Sequence, residues 1–474
     1  MVLLRAALKR FIAYWGGFSA IGLAGWISRT FGEPSIDQIL FHLYYSEGVA
    51  LRMGRIFVVT FVVEVLLFPL AFAIAAAFLH QAVARVRPSW QRHFLRATPA
   101  AAITIGLVVL LNQFSVFSLA AARLREDRFA KAFVDPDHVR LEDLQLRNLV
   151  LIYVESMEDG YGDAGLFEND LLAPLRQLGG VSFESYRPAA GTTWTMAAIV
   201  STQCGIPLSV YSEYDIRRTQ RSRDFLAGAT CLGDLLKARG YRSVFLGGAP
   251  LSFSGKGVFL KDHGYAETFG REQWEKLGAE SQEFGPWGLY DSALLERARS
   301  KLDALHASGK HFNLTLLTLD THNPRGFMSP HCHDQGAKDF EGIVGCTNRQ
   351  VADFVKYVQD KGYLKDTVIV ILGDHLAVPN PAYDKLQARD RRIFNLFVAQ
   401  PQPRLNRQEV VPFDMFPTIS DLVGMRVPGS RLGLGSSGVS DAPEPGSAAS
   451  EYRPDLTSLR GSKAYGNLWR LKDH

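Results

Sequence analysis

The sequence predicts an α/β fold, in which N-terminal transmembrane helices precede a domain whose mainly parallel central sheet is covered by helices on both faces. Three observations predict it. Apolar runs of bilayer length are confined to the first 125 residues. Beyond them come short, nearly continuous apolar runs at 148–154, 243–247, 312–319, 367–372 and 393–398, the pattern of strands buried on both faces. Amphipathic stretches at 231–239, 290–306 and 348–361 separate them, and strands that alternate with helices build parallel sheets.

Each part of the chain then takes a place. Residues 1–125 form a membrane region with spans at about 11–28, 56–79 and 97–122, since each run reaches the roughly 18 to 20 residues that cross a bilayer as helix. Gly16, Gly17, Gly22 and Gly25 lower the helix propensity of the first run, so a two-span arrangement is the alternative. No small-residue cleavage site follows that run, which argues against a signal peptide. Residues 126–147 are a charged linker with Pro136, 148–430 the catalytic domain, and 431–474 a loop or tail, with Gly, Ser and Pro concentrated over 429–455.

Arg5, Lys9 and Arg10, and the loop arginines Arg85, Arg87, Arg92 and Arg96, stand without acidic neighbours and should face the cytoplasm. Three spans then put the domain outside it. Four cysteines allow three pairings; the short loops favour Cys204 with Cys231 and Cys332 with Cys346, as an oxidising compartment permits, with four buried free thiols as the alternative. Glu64 inside the second span is either functional or a bundle-facing residue with a polar partner. A net charge of +4 over 52 basic and 48 acidic residues, with no basic run interleaved with aromatics, excludes a nucleic-acid binder.

The chemistry gathers where strands end. The first run leads into Glu155 and Ser156, the run at 312–319 into Asp320, Thr321 and His322, and that at 367–372 into Gly373, Asp374 and His375. Ligands of open α/β sheets bind beyond the carboxyl ends of strands, so three such ends can share one site. Glu, Asp and His together make a donor set for Mn²⁺, Zn²⁺ or Mg²⁺, although one Asp-His pair alone is more often a cap or turn. Gly191-Thr-Thr-Trp-Thr195 then opens an apolar helical run. A hydroxyl at that position suits phosphate and, beside a metal, nucleophilic attack; an ordinary N-cap threonine explains it equally well.

Read together, these motifs resemble the alkaline phosphatase and sulfatase superfamily, in its branch of membrane-anchored phosphoglycerol transferases and lipoteichoic acid synthases. The likeness runs in order through 148–156, 191–208, Gly255-Lys-Gly257, His263-Gly-Tyr265, Trp287-Gly-Leu-Tyr-Asp291, 318–324 and Gly373-Asp-His-Leu376. It implies a sulfatase-like catalytic domain in the periplasm of a bacterial inner-membrane protein. It implies that Glu155, Thr195, Asp374 and His375 hold one divalent metal, Mn²⁺ ahead of Zn²⁺ or Mg²⁺, with Thr195 also the nucleophile and His322 contacting phosphate or leaving group. It places Trp287, Asp291 and Lys256 in the substrate pocket, and supports the cysteine pairs above. The implied reaction moves glycerol phosphate from phosphatidylglycerol to a glycan, such as an osmoregulated periplasmic glucan, through a covalent phosphothreonine, releasing diacylglycerol. Phosphoethanolamine transfer to lipid A or a glycan is the alternative within the class, and a non-catalytic envelope glycan-binding protein the alternative outside it. Arg325 departs from the family pattern and leaves the acceptor side open. Cys204-Gly-Ile-Pro-Leu208 lacks the Cys-x-Pro-x-Arg arrangement that sulfatases convert to formylglycine, and no second set of metal ligands is evident.

Overall fold

The structure, a computed structural model, describes residues 2–31, 38, 55–86, 89–113, 127–209, 224–439, 459 and 462–470. It divides into an N-terminal helical unit and a larger C-terminal unit. In the first, α1 covers Val2–Phe31; α2 runs from Arg55–Phe61 through a π-helical Val62–Leu67 into Phe68–Val86; α3 covers Ser89–Gln113. Among the described residues two stretches are long and apolar enough to cross a membrane, Arg5–Thr30 and Val58–Ala84. The expected third span overlaps α3, which starts earlier, at the more polar residues 89–96. Residues 114–126 and the side chains of Arg85, Arg87 and Arg92 lie outside the described residues.

The glycines of α1 do not break it. A Cβ on Gly17 would collide with the main chain of α3 at Ala102, and one on Gly106 with that of Gly17. They permit the close backbone approach by which membrane helices pack. Glu64, in the π-helical turn, pairs with Arg29 of α1, and Tyr14 joins α2 and α3 through His80 Nδ1 at 3.0 Å and Thr98 Oγ1 at 2.6 Å. The predicted partner for Glu64 is thus an opposite charge on the neighbouring helix.

The C-terminal unit is built on a six-stranded sheet: β1 (Asn148–Val154), β2 (Arg242–Gly247), β3 (Tyr265–Phe269), β4 (Phe312–Leu317), β5 (Thr367–Gly373) and β6 (Asn395–Val398), in the order β3-β2-β4-β1-β5-β6. All neighbours are parallel except β6, an antiparallel edge. Sequence patterning missed β3, whose Tyr-Ala-Glu-Thr-Phe is only half-buried at the opposite edge and carries no apolar run. One face packs Val150, Ile152, Leu314 and Ile369 against α7 (Asp291–Ala307) and α8 (Phe340–Asp360) in a single apolar cluster. On the other face Tyr153 meets Thr202 of α4 (Thr195–Cys204), while α5 (Leu232–Ala238) and α6 (Lys256–Asp262) follow the crossovers around β2.

Register does the rest. Val154 of β1 lies opposite Gly373 of β5, and Tyr153 opposite Leu317 of β4. The residues that follow each strand therefore emerge side by side at the carboxyl edge.

The segments flanking the sheet are packed on it. Glu142–Asp143 pair with Met425–Arg426, and Val134 bridges Gly433. Within 431–474, where a loop or tail is expected, residues 431–438 pack into the domain, with Leu432 fully buried. Lys463–Asn467 is a helix whose buried Tyr465 hydroxyl shares its one hydrogen between the carbonyls of Pro207 (2.9 Å) and Ser209 (3.0 Å) and accepts from Ser209 N at 2.8 Å. Tyr465→Ala should cost about 3–5 kcal/mol by emptying this site, and Tyr465→Phe about 1–2 kcal/mol. Denaturant unfolding of the full chain in detergent measures both; equal stability of the Ala variant and the parent would show the segment to be dispensable.

Candidate active site

Glu155 leaves β1 with its carboxylate turned into the domain because Ser156 takes a left-handed turn, φ 54°, a conformation that costs a non-glycine residue about 1–3 kcal/mol unless its surroundings enforce it. They do. Ser156 N donates to Asp374 Oδ1 at 2.7 Å and Ser156 Oγ to Glu155 Oε1 at 2.8 Å. Thr318 Oγ1 accepts from Glu155 N at 2.9 Å, and Thr321 Oγ1 donates to Glu155 O at 2.6 Å, so the loop after β4 grips the loop after β1. Gly373 lets β5 close up: a Cβ there would collide with Met157 O. Behind the site, buried Glu158 takes Ala377 N at 2.8 Å and is paired with Arg391. None of these supports was legible in the sequence, where Ser, Thr and Gly after a strand read as ordinary turn residues.

The structure brings Glu155, Asp374, His375 and Thr195 together. Ligand atoms of the first three lie within 4.8 Å of one another and all three residues are buried. Thr195 Oγ1 lies 3.4 Å from Glu155 Oε2 and 3.5 Å from His375 Nε2. His375 Nδ1 donates to Leu376 O at 2.8 Å, which leaves the Nε2 lone pair facing the acids, the tautomer a metal ligand needs. Asp374 Oδ2 is buried with no hydrogen-bond partner. Burial and the charge of Glu155 push the Asp374 carboxyl up to about 7. Burial pushes Glu155 up as well, but His322, His375 and the hydroxyls of Ser156 and Thr195 outweigh it and hold Glu155 below the ordinary value. An unpartnered buried carboxylate oxygen beside a second acid and a correctly oriented imidazole fits a divalent cation.

Thr195 is the first residue of α4, with Trp194 in extended conformation before it. Its neighbours are otherwise disposed: the Thr192 hydroxyl closes a turn on Ala189 O at 2.8 Å, and Thr193 is exposed. Helix α4 is held to the sheet by a buried chain in which Tyr153 OH meets Thr202 Oγ1 (2.6 Å), Gln203 Nε2 donates to Tyr153 OH (3.4 Å), and Tyr265 OH donates to Gln203 Oε1 (3.1 Å). Its last residue, Cys204, is bonded to Cys231, and Cys332 to Cys346, the sequential pairs expected.

His322 sits on the loop after β4, half-buried, with Nδ1 donating to Asn323 O at 2.8 Å, so that Nε2 is its free nitrogen. Trp287 stacks on it at 6.0 Å between centroids. Lys256, at the start of α6, is buried; burial lowers it to about 8 against the pull of Glu155, Glu272 and Asp374. Asp291, which the resemblance places in the substrate pocket, is fully buried and turned to the backbone: Oδ1 accepts Leu319 N at 2.6 Å, and Oδ2 accepts Asp320 N at 3.2 Å and Thr347 Oγ1 at 3.1 Å. It holds the loop that carries His322. Asp320 beside it has no partner on either oxygen, and burial together with the charge of Asp291 pushes its carboxyl well above the ordinary range. Asp291, with three donors, carries the charge of this pair, and Asp320 the proton.

Asp291→Ala strands three donors and should cost about 3 kcal/mol, whereas Asp320→Asn exchanges one neutral group for another and should cost less than about 1 kcal/mol. A raised native pKa means that the unfolded chain loses its proton first, so this contribution to stability is full below about pH 4 and is lost as pH rises. Asp320→Asn should therefore lose less stability than the parent between about pH 4 and 7. Urea midpoints across that range test it; parallel curves would place the proton elsewhere.

The sulfatase family model matches residues 147–425. Phosphoglycerol transferase I of Escherichia coli (strain SMS-3-5 / SECEC) and that of Shigella flexneri are each 34% identical over 374 residues, covering 76% of this chain and 48% of the relative; the chain thus spans about half the length of the curated relatives it matches. Among solved structures, an alkaline phosphatase superfamily protein from Vibrio parahaemolyticus aligns with a TM-score of 0.50 at 20% identity, covering 74% of this chain and 95% of that one. A lipoteichoic acid synthase from Listeria monocytogenes aligns at 0.50 and 17%, covering 68% and 81%. These two likenesses show the fold, whose α/β sheet is that described above. With the family model matching more than half of it, the chain belongs to the sulfatase family.

Proposed function

We propose that this protein transfers glycerol phosphate from phosphatidylglycerol to a periplasmic glycan, with its catalytic domain on the outer face of a bacterial inner membrane. The observation that carries the reading is Thr195, a hydroxyl at the start of a buried helix and within 3.5 Å of both Glu155 and His375. The relatives named phosphoglycerol transferase I support glycerol phosphate as the group moved. Two helices able to span a membrane among the described residues suit a donor that never leaves the bilayer, and the outer-face location rests on the expected third span, which overlaps α3.

In the first step Thr195 Oγ1 attacks the donor phosphorus, its proton passing to a neighbouring base, and the bond from phosphorus to the diacylglycerol oxygen breaks. Diacylglycerol leaves with one proton, and glycerol phosphate stays esterified to Thr195. An acceptor hydroxyl then attacks the same phosphorus, the bond to Thr195 breaks, and the threonine hydroxyl is restored. A divalent cation, Mn²⁺ ahead of Zn²⁺ or Mg²⁺, held by Glu155, Asp374, His375 and Thr195, would lower the pKa of the hydroxyl and offset charge on the phosphoryl oxygens. The free Nε2 of His322 holds or delivers the proton of the oxygen that leaves or enters. Trp287 stacked on the imidazole keeps that nitrogen oriented.

Thr195→Ala should lower diacylglycerol release from phosphatidylglycerol by about 10⁴-fold or more while leaving the unfolding midpoint within the range of a surface substitution. Mass spectrometry of the Thr195 peptide, after the parent meets equal amounts of phosphatidylglycerol and phosphatidylethanolamine, reports donor and nucleophile together. A phosphoethanolamine adduct would reassign the donor, and unchanged turnover by Thr195→Ala would end the proposal.

A further inference from the structure

The end of the helical unit at which α1 begins carries a polar cluster that the transfer chemistry does not use. Arg10 and Tyr14 of α1, His80 of α2 and Thr98 of α3 meet there. His80 and Tyr14 are only 5% and 6% exposed, and Arg10 and His80 both lie in the stretches able to span a membrane. Arg10 Nη1 is 3.2 Å from His80 Nε2. A guanidinium only donates, so Nε2 accepts and the ring proton is on Nδ1. Nδ1 in turn faces the Tyr14 hydroxyl at 3.0 Å and Thr98 Oγ1 at 3.3 Å, and these two hydroxyls meet at 2.6 Å.

Tyr14, His80 and Thr98 are enough to tie three helices together. Arg10 adds a charge to them. Its Nε donates to Ala6 O at 3.2 Å, and this bond together with the one to His80 fixes the plane of the guanidinium. The other three of its five N–H groups have no partner among the described residues, and the side chain is half-buried, so that edge is open to its surroundings. No acid balances the charge. Among the described residues of this unit Glu64 is the sole acid; it is paired with Arg29 and stands about 24 Å from His80 along α2, by the rise of a helix. Arg5, Lys9 and Arg96 add further positive charge at the same end.

An arginine held inside a span is costly unless an anion meets it. The anions found at that depth are lipid phosphates, and a headgroup that brings its own ammonium offers less than one with net negative charge. A guanidinium fixed in its plane, with one edge open, matches two oxygens of a phosphate.

We propose that Arg10, aimed by His80, binds the phosphate of an anionic phospholipid in the leaflet beside the start of α1. This lipid is not the donor: the arginines assign this end of the bundle to the cytoplasm, whereas the transfer proposed above takes place on the outer face. The inference does not depend on that reaction.

The test uses the full chain in an amine-oxide detergent, with dioleoyl phosphatidic acid as probe, dioleoyl phosphatidylcholine as the zwitterionic comparison and inorganic phosphate as the soluble one. Native mass spectrometry should show one phosphatidic acid retained, about tenfold more tightly than phosphatidylcholine. Arg10→Gln should abolish that preference, whereas Lys9→Gln, which removes the same charge one residue away, should change it less than about twofold. His80→Phe and Tyr14→Phe leave the charge of Arg10 in place but release its guanidinium, and each should weaken phosphatidic acid about fivefold. Unfolding midpoints are read beside the affinities, so that Tyr14→Phe decides if His80→Phe does not fold. Equal retention of the two lipids, equal losses in Arg10→Gln and Lys9→Gln, or unchanged affinity in the folded His80 and Tyr14 variants overturns the inference. Inorganic phosphate that displaces phosphatidic acid at an equal concentration also overturns it, because the site would then take a soluble anion as readily as a lipid.

Discussion

Two carboxylates and an imidazole packed at the ends of two adjacent parallel strands set the terms for the rest of this domain. Glu155 and Asp374 are buried together with His375, and two ionised carboxylates about 4–5 Å apart repel by roughly 3–4 kcal/mol even at an effective dielectric of 20. Left alone, such a pair would relax outward toward water or keep a proton. Here the first route is closed. Ser156 N and His375 N fix Asp374 Oδ1 from the backbone, and Thr318 and Thr321 lock the main chain of Glu155 on either side. The scaffold holds the negative charge in place, and a cation is the species that relieves it.

That rigidity has its source in sheet register. Because β1 pairs with β4 on one side and β5 on the other, residues separated by more than 200 positions emerge at neighbouring strand ends. The loops then have little freedom, and what remains is removed by groups outside the site: the ion pair of Glu158 with Arg391 across the β1 and β5 loops, and Asp291 reaching from α7 to the amides of Leu319 and Asp320. A displacement in either would be felt by Glu155 or His322 without any change in the groups that react.

How much of this could be read from the chain depended on whether a residue's task is local or distant. Strands β1, β4 and β5 show in the sequence because burial on both faces demands uninterrupted apolar residues, and the acids and histidines after them stand out against that background. Strand β3 does not show, since an edge strand with Glu267 and Thr268 needs no such run. The resemblance places Asp291 in the pocket because a motif carries residue types but not the direction in which a side chain points; its partners come from the loop after β4 and from Thr347, far away in the chain. The chain Tyr153, Thr202, Gln203 and Tyr265 was invisible for the same reason. Each member is an unremarkable polar residue in an apolar run, and only the fold makes them neighbours.

Helix α4 shows how one element can decide the chemistry of a site. Its first residue is Thr195, whose β-branched side chain has few rotamers to choose from, so the hydroxyl is presented to Glu155 and His375 in a narrow range of directions. Its last residue is Cys204, which in a formylglycine enzyme would have to be a free thiol on a suitable motif; here it is bonded to Cys231 at the opposite end of the helix from the site. The buried polar chain through Thr202 and Gln203 lies between them and keeps the helix from sliding along its axis. A shift of one residue would turn Thr195 by about 100° around the helix and move Met196 toward the acids. The disulfide and the polar chain are thus part of the geometry of Thr195, since they define which side chain of α4 faces the two carboxylates.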